Sequence, residues 1–111
     1  VNFSLDSDTL NKIRRAASAL GHSELSIANT QGAVRLSIVD SANATSNVFS
    51  IDVEGSYPEG ADFNFIMNVN NLKIVDEDFH VMISSKLISH FTSKQSDIEY
   101  YIALEKSSTY K

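Results

Sequence analysis

Short runs of alternating apolar and polar residues, separated by short polar connections, most constrain the fold of this chain. A period of two is typical of a β-strand with one buried face. The connections are mostly too short for the crossovers that parallel strands require, so the runs predict a mainly antiparallel sheet. About eight such strands are predicted, at residues 1–5, 25–27, 34–38, 49–53, 63–67, 79–83, 88–93 and 98–104.

One segment, DSDTLNKIRRAASALG, instead follows the period of an α-helix. Its apolar residues recur three and four positions apart and form one stripe for burial. The residues of this stripe are Leu10, Ile13, Ala17 and Leu20. Asp6, Ser7 and Asp8 supply an N-cap and negative charge at the positive end of the helix dipole. Gly21 suits the position just after the last turn, so both ends of the helix are predicted.

The face of this helix opposite the stripe is predicted to be basic and small-polar, without an acidic residue. At about 100° per residue, Arg15 lies nearly opposite the stripe, flanked by Asn11, Lys12 and Ser18. Considered alone, the helix is better explained by an ordinary solvated face than by nucleic-acid contact, because Lys and Arg are good helix formers. Both interpretations stay open at this point.

The segment FNFIMNVNNLKI, which begins at Phe63, changes period within a few residues. Its apolar residues first alternate as in a strand and then lie three apart as in a helical turn. We interpret Asn68 as an N-cap and residues 69–74 as a short second helix that carries Lys73. The chain is thus predicted to be an α+β domain with two helices on one face of a mainly antiparallel sheet.

Length and composition fit one globular domain. The 111 residues suffice for a single hydrophobic core, and no apolar run approaches the roughly 20 residues that span a bilayer. The absence of cysteine excludes disulfides and is typical of an intracellular protein. The net charge of −5 argues against a uniformly basic nucleic-acid binder but permits a local basic face. Because the chain begins with Val1 rather than methionine, we expect processing or a longer parent protein.

Motifs for catalysis or for metal and cofactor binding are not found in the sequence. His22, His80 and His90 lack metal-ligand spacing and are expected to be structural or solvated. Neither a P-loop, nor G-x-G-x-x-G, nor G-x-S-x-G occurs. The acidic triplet at residues 76–78 lacks the following Gly and Glu of an EF-hand loop. We therefore expect no enzymatic activity, no metal and no cofactor.

Three segments together resemble one known family: DTLNKIRRAASAL, FNFIMNVNNLKI and EYYIALEKSST. In this order and spacing they are similar to the C-terminal domain of the sliding clamp (DNA polymerase processivity factor) of T-even-type bacteriophages. The last segment is the most specific, with its Tyr-Tyr strand followed by Ala-Leu-Glu and a short Ser-Thr tail. The resemblance covers essentially the whole chain, and the loops between strands are only loosely similar.

The resemblance implies a DNA-clamp domain with two helices on one face of antiparallel sheet structure. Clamps of this family are rings of three two-domain subunits, with helices lining a hole through which duplex DNA passes. The ring tethers a DNA polymerase to its template, a clamp loader opens and closes it, and the clamp itself catalyses nothing. The resemblance thus implies a homo-trimer in the cytoplasm of a host cell. This chain has length for only one of the two domains, which favours truncation.

The resemblance also implies roles for particular residues. The DNA-facing residues are expected to be Lys12, Arg14, Arg15 and Lys73. A pocket for partner peptides is expected beside the last strand, at Tyr101, Ile102, Ala103 and Leu104. Subunits are expected to pair along a strand edge at Val48, Phe49 and Ile51.

Two alternatives remain open at this stage. Ile102 and Leu104 suit a hydrophobic core equally well. An α+β protein-interaction or structural domain without a DNA role is the competing function.

Overall fold

A computed structural model describes residues 1–21, 24–40 and 43–111, and within them the side chains of all residues except Leu20, Asp40 and residues 43–48. The described residues form ten β-strands, one α-helix and one 3-10 helix. In chain order they are β1 (Asn2–Leu5), α1 (Ser7–Leu20), β2 (Glu24–Thr30), β3 (Ala33–Asp40), β4 (Asn43–Val53), β5 (Gly55–Ser56), β6 (Phe63–Asn68), the 3-10 helix (Val69–Leu72), β7 (Phe79–Ile83), β8 (Ile88–Ser93), β9 (Glu99–Ala103) and β10 (Thr109–Tyr110).

The strands form two five-stranded sheets rather than the single sheet predicted. The first sheet has the order β5-β1-β7-β8-β9 and the second has the order β10-β6-β2-β3-β4. Every pairing between strands of the described residues is antiparallel. The predicted α+β class and antiparallel character are therefore confirmed.

The α-helix begins and ends where the sequence predicts. The Asp6 carboxylate accepts a hydrogen bond of 2.8 Å from the Thr9 backbone N–H, and this bond lowers the pKa of Asp6 below its usual value. At the other end, Gly21 adopts a left-handed φ of 69° and donates its N–H to the Ala17 carbonyl. Leu10, Ile13 and Ala17 are buried in the core, as predicted, while the side chain of Leu20 lies outside the described ones.

The predicted second helix at residues 69–74 is wrong as an α-helix. It is a single 3-10 turn of four residues, although Asn68 caps it as expected, accepting from the Asn70 N–H at 2.9 Å. Asn side chains compete with the backbone for hydrogen bonds, which favours turns over long helices. The backbone leaves helical geometry at Lys73, with φ −79° and ψ 61°. The domain therefore carries, in the residues described, one α-helix and not two.

One contiguous core joins α1 to the inner faces of both sheets. Its largest fully buried side chains are four phenylalanines, Phe63, Phe65, Phe79 and Phe91. Burying a side chain of this size stabilises a fold by about 1.5–3 kcal/mol. Both sheets thus pack against the same hydrophobic interior. The residues of α1 that point away from this interior are available for contacts with other molecules.

The chain passes from the second sheet to the first between β4 and β5, and Gly55 is the first residue of β5. A Cβ atom added to Gly55 would lie 2.6 Å from Val34 Cγ2 and 2.7 Å from the Asn2 carbonyl oxygen. Real Cβ contacts are essentially never this short. Glycine is therefore required at this crossing, where residues of both sheets lie against the backbone.

The C-terminal segment, residues 105–111, returns from the first sheet to the second. Glu105 N–H donates to the Ile66 carbonyl at 2.8 Å, and the Ser108 hydroxyl accepts from the Ile66 N–H at 2.7 Å. Tyr110 pairs with Phe63 in register and stacks on Phe63 and Phe65 at centroid distances of 6.3 and 6.0 Å. This segment covers the outer edge of β6, and neither it nor β5 was predicted as a strand because each contributes only two residues.

Candidate DNA-facing and partner-binding surfaces

The exposed face of α1 carries Lys12 and Arg15, but it also carries an acid. Lys12 Nζ lies 3.1 Å from a carboxylate oxygen of Asp8, one turn earlier, and the two side chains are 48% and 72% exposed. The prediction of a face without an acidic residue is therefore wrong: Asp8 lies seven residues before Arg15 and so points to the same side. Among the described side chains, Arg15 is exposed and makes no ion pair.

Arg14 is half-buried beside the 3-10 helix. Its Nε donates to the Leu72 carbonyl at 2.8 Å, and its Nη2 donates to the Leu72 and Ile74 carbonyls at 2.5 and 2.6 Å. The guanidinium therefore contacts protein backbone, whereas the sequence placed it at the flank of a DNA-facing surface.

Lys73 is exposed on the segment that follows the 3-10 helix. It lines a groove of about 430 Å³ between the second half of α1 and the 3-10 helix. The lining residues of this groove are Arg14, Ala17, Ser18, Gly21, Val69, Asn70 and Lys73. None of these described lining residues is acidic, and the structure brings Lys73 to the same groove as Arg14, beside the second half of α1.

The acidic triplet at residues 76–78 lies near the opposite end of α1. Asp76 accepts from the Asn11 side-chain amide at 3.0 Å, and Asp78 accepts from the Ser7 backbone N–H at 2.8 Å. Glu77 accepts from the Ser93 hydroxyl at 2.5 Å. Within residues 1–21, 24–40 and 43–111, no group of three or more side chains is arranged to hold a metal ion. These carboxylates join Ser7 and Asn11 of α1, and Ser93 of β8, to the loop before β7.

An apolar depression of about 360 Å³ lies on the face of the first sheet that points away from the core. Met82, His90 and Tyr101 are cross-strand neighbours on β7, β8 and β9 and form its central row. Val1 and Ile88 complete its apolar wall, and Tyr101 is 67% exposed. Large apolar side chains grouped on a surface mark a site of interaction.

The four predicted pocket residues lie on different sides of β9. Tyr101 lines the depression, and Ala103 is exposed beside Ile88. Ile102 and Leu104 are only 8% and 9% exposed and belong to the core, so for these two the core alternative is confirmed.

The sequence analysis did not include Met82 and Ile88 in the predicted partner pocket. The sequence feature that could have identified these two residues is that each is apolar at a position of its strand that faces away from the core.

His90 is positioned by two neighbours on β9. Its Nε2 lies 3.1 Å from a Glu99 carboxylate oxygen, and its ring stacks on Tyr101 with a centroid distance of 4.3 Å and an interplanar angle of 6°. The stack holds the Tyr101 ring flat against the sheet beside the depression. His80 is exposed on the same strand as Met82, and His22 lies outside the described residues.

Strand β4, which contains the predicted subunit edge, is an edge strand of the second sheet. Phe49 and Ile51 are half-buried and pack against the core, and the side chain of Val48 lies outside the described ones. An edge strand presents unpaired backbone groups with which another strand can pair. In the part of the chain that the structure describes, no helix is long and apolar enough to cross a membrane.

Comparison with known proteins identifies a family. The model of the family described as "gp45 sliding clamp, C terminal" matches residues 2–106. A protein named "Sliding clamp" from Vibrio phage KVP40 is 31% identical over 105 residues, covering 93% of this chain and 46% of that protein. The chain therefore spans about half the length of this curated relative. Since the family match extends over nearly all of its residues, the chain belongs to the gp45 sliding clamp family, in the region of that family's C-terminal domain.

Proposed function

We propose that this chain forms the C-terminal half of a DNA sliding clamp, a ring that encircles duplex DNA and tethers a DNA polymerase to its template. The observation that carries the proposal is the match of residues 2–106 to the gp45 sliding clamp family. A basic surface on an otherwise acidic chain of net charge −5 supports it. The clamp acts without a catalytic site, metal or cofactor, in the cytoplasm of a phage-infected host cell.

Lys12, Arg15 and Lys73 form the DNA-facing surface in this proposal. All three are exposed, and Arg15 lies between the Lys12 side of α1 and the groove that Lys73 lines. Cations that meet phosphates hold DNA without reading its sequence, which suits a ring that must slide. The acidic remainder of the surface repels DNA and so favours binding at this face.

The apolar depression on the first sheet receives a peptide segment of a partner such as the polymerase. Met82, Ile88 and Tyr101 offer exposed apolar area, and a rigid aromatic side chain beside a pocket is a frequent centre of binding energy. Ala103 lies at the rim, while Ile102 and Leu104 support β9 from the core side. The depression lies on the face of the first sheet that points away from the core, whereas α1 packs onto the core, so a partner and DNA bind without competing for the same surface.

Strand β4 supplies the contact between subunits. Its outer edge, at Val48, Phe49 and Ile51, pairs with a strand of the next subunit in a homo-trimeric ring. Backbone pairing along an edge gives a long but separable contact, which suits a ring that a clamp loader opens and closes around DNA.

The test replaces cations of the proposed DNA-facing surface in the full-length protein. Arg15→Glu combined with Lys73→Glu is expected to shorten the products of clamp-dependent primer extension, because two phosphate contacts per subunit become repulsions. The matched control combines Lys106→Glu with Lys111→Glu, which changes net charge equally at exposed positions of the C-terminal segment. Product lengths equally affected by the two double variants, or unaffected by both, contradict the DNA-facing assignment.

A further inference from the structure

Arg14 and Lys73 line the same groove, but only Lys73 is exposed. The Arg14 guanidinium is used within the protein: it donates to the Leu72 carbonyl and to the Ile74 carbonyl, at 2.5–2.8 Å. These two carbonyls belong to the residues immediately before and after Lys73. The side chain of Arg14 therefore fixes the backbone on both sides of Lys73.

The backbone at Lys73 has little other support from regular structure. It follows a single 3-10 turn and has non-helical dihedral angles. Hydrogen bonds from a charged donor are about twice as strong as neutral ones, so Arg14 adds a strong link to α1 beside the burial of Leu72 in the core. The planar guanidinium reaches both carbonyls at once, whereas a lysine ammonium is a point charge on a flexible stem.

We propose that Arg14 is a positioning residue, which acts by holding Lys73 at the groove beside α1 and not by contacting a phosphate itself. This inference rests on the proposed function, because Lys73 must face DNA for its position to matter. It assigns to Arg14 a role distinct from that of Arg15, its immediate neighbour on the helix.

The attachment of residues 72–74 by Arg14 is tested first without DNA, by hydrogen–deuterium exchange of the full-length protein. Arg14→Lys keeps the positive charge but loses the planar fork, and it is expected to speed exchange at residues 69–75 about tenfold while α1 stays protected. Arg15→Lys, the same substitution one position later, is the control and is expected to leave this segment unchanged. Equal exchange in the two variants overturns the inference.

The action through Lys73 is tested by DNA affinity measured against salt concentration. Lys73→Gln is expected to reduce the slope of log Kd against log salt by about 0.9 for each phosphate that the protein no longer neutralises. In that background, Arg14→Lys and Arg14→Gln are expected to cause no further decrease of the slope, because the residue that Arg14 positions has been removed. A further decrease of about 0.9 with Arg14→Gln shows that Arg14 binds a phosphate itself and overturns the inference.

The two failures are distinguishable. If Arg14→Lys speeds exchange while Lys73→Gln leaves the slope unchanged, the inference fails for Arg14, and the DNA-facing assignment still stands on Arg15. If Arg15→Gln also leaves the slope unchanged, the proposed function itself is contradicted. Circular dichroism on each variant confirms that α1 is retained.

Discussion

Asp8→Asn is predicted to strengthen DNA binding while weakening the fold. The Asp8 carboxylate lies 3.1 Å from Lys12 Nζ on the exposed face of α1. An exposed pair of this spacing on a helix contributes about 0.3–0.5 kcal/mol, and Lys12 must give up that contribution to reach a phosphate. Removing the acid therefore tightens DNA binding by about twofold for each subunit of the ring.

The same substitution removes a negative charge from the first turn of α1. A charge in this position stabilises the helix by about 0.3–1 kcal/mol at low ionic strength, to which the loss of the ion pair adds. We expect the free energy of unfolding to fall by roughly 0.6–1.5 kcal/mol. The two effects have opposite signs, so a general loss of structure cannot imitate a gain in affinity.

Fluorescence anisotropy with a labelled duplex measures the affinity, and urea denaturation measures the stability. Glu59→Gln is the matched control, since it removes one exposed negative charge from the loop between β5 and β6. An affinity that stays constant or falls in Asp8→Asn, with α1 intact, refutes the placement of Lys12 beside DNA. If Glu59→Gln increases the DNA affinity equally, the local explanation is refuted, and the change in net charge accounts for the gain in affinity.

Three further predictions concern the partner surface, the junction of the sheets and the helix cap. Tyr101→Ala should weaken polymerase binding about 30-fold, the usual loss at an aromatic hot spot, while Tyr101→Phe retains most of the affinity in surface plasmon resonance; equal losses contradict the apolar contact. Gly55→Ala should destabilise the fold by about 1–3 kcal/mol in urea denaturation, because the added methyl group overpacks the junction, and a neutral result contradicts the short contacts. Asp6→Ala should cost about 1 kcal/mol near neutral pH. The pKa of Asp6 is lower in the folded state. The stabilisation that Asp6 provides is therefore present above its unfolded pKa and is lost as pH falls through its folded pKa. Denaturation curves of Asp6→Ala and of the parent should thus converge in acid.

The elements that the sequence predicted well are those with several repeats of one period. Helix α1 has three helical turns of apolar residues and a cap at each end, so its period and its limits agree. Strands such as β6 and β7 place three apolar residues on one face. In each case the burial of several side chains depends on the same register, which makes the pattern robust.

The features that were missed depend on contacts between distant parts of the chain. The 3-10 turn ends where Arg14, far away in sequence, takes up the carbonyls of Leu72 and Ile74. The requirement for glycine at residue 55 arises from Val34 and Asn2, which are distant in sequence. The apolar depression is assembled from three strands by cross-strand register, which no single segment displays. By contrast, the position of Asp8 beside Lys12 follows from helical spacing alone, so the sequence was sufficient to predict it.

The C-terminal segment has a consequence for the synthesis of the protein. Residues 105–111 complete the second sheet and stack an aromatic ring on Phe63 and Phe65, and they are the last of these 111 residues to leave the ribosome. Until then the edge of β6 is open and can pair with another nascent chain. The second sheet therefore gains its outer strand β10 only after Tyr110 has left the ribosome.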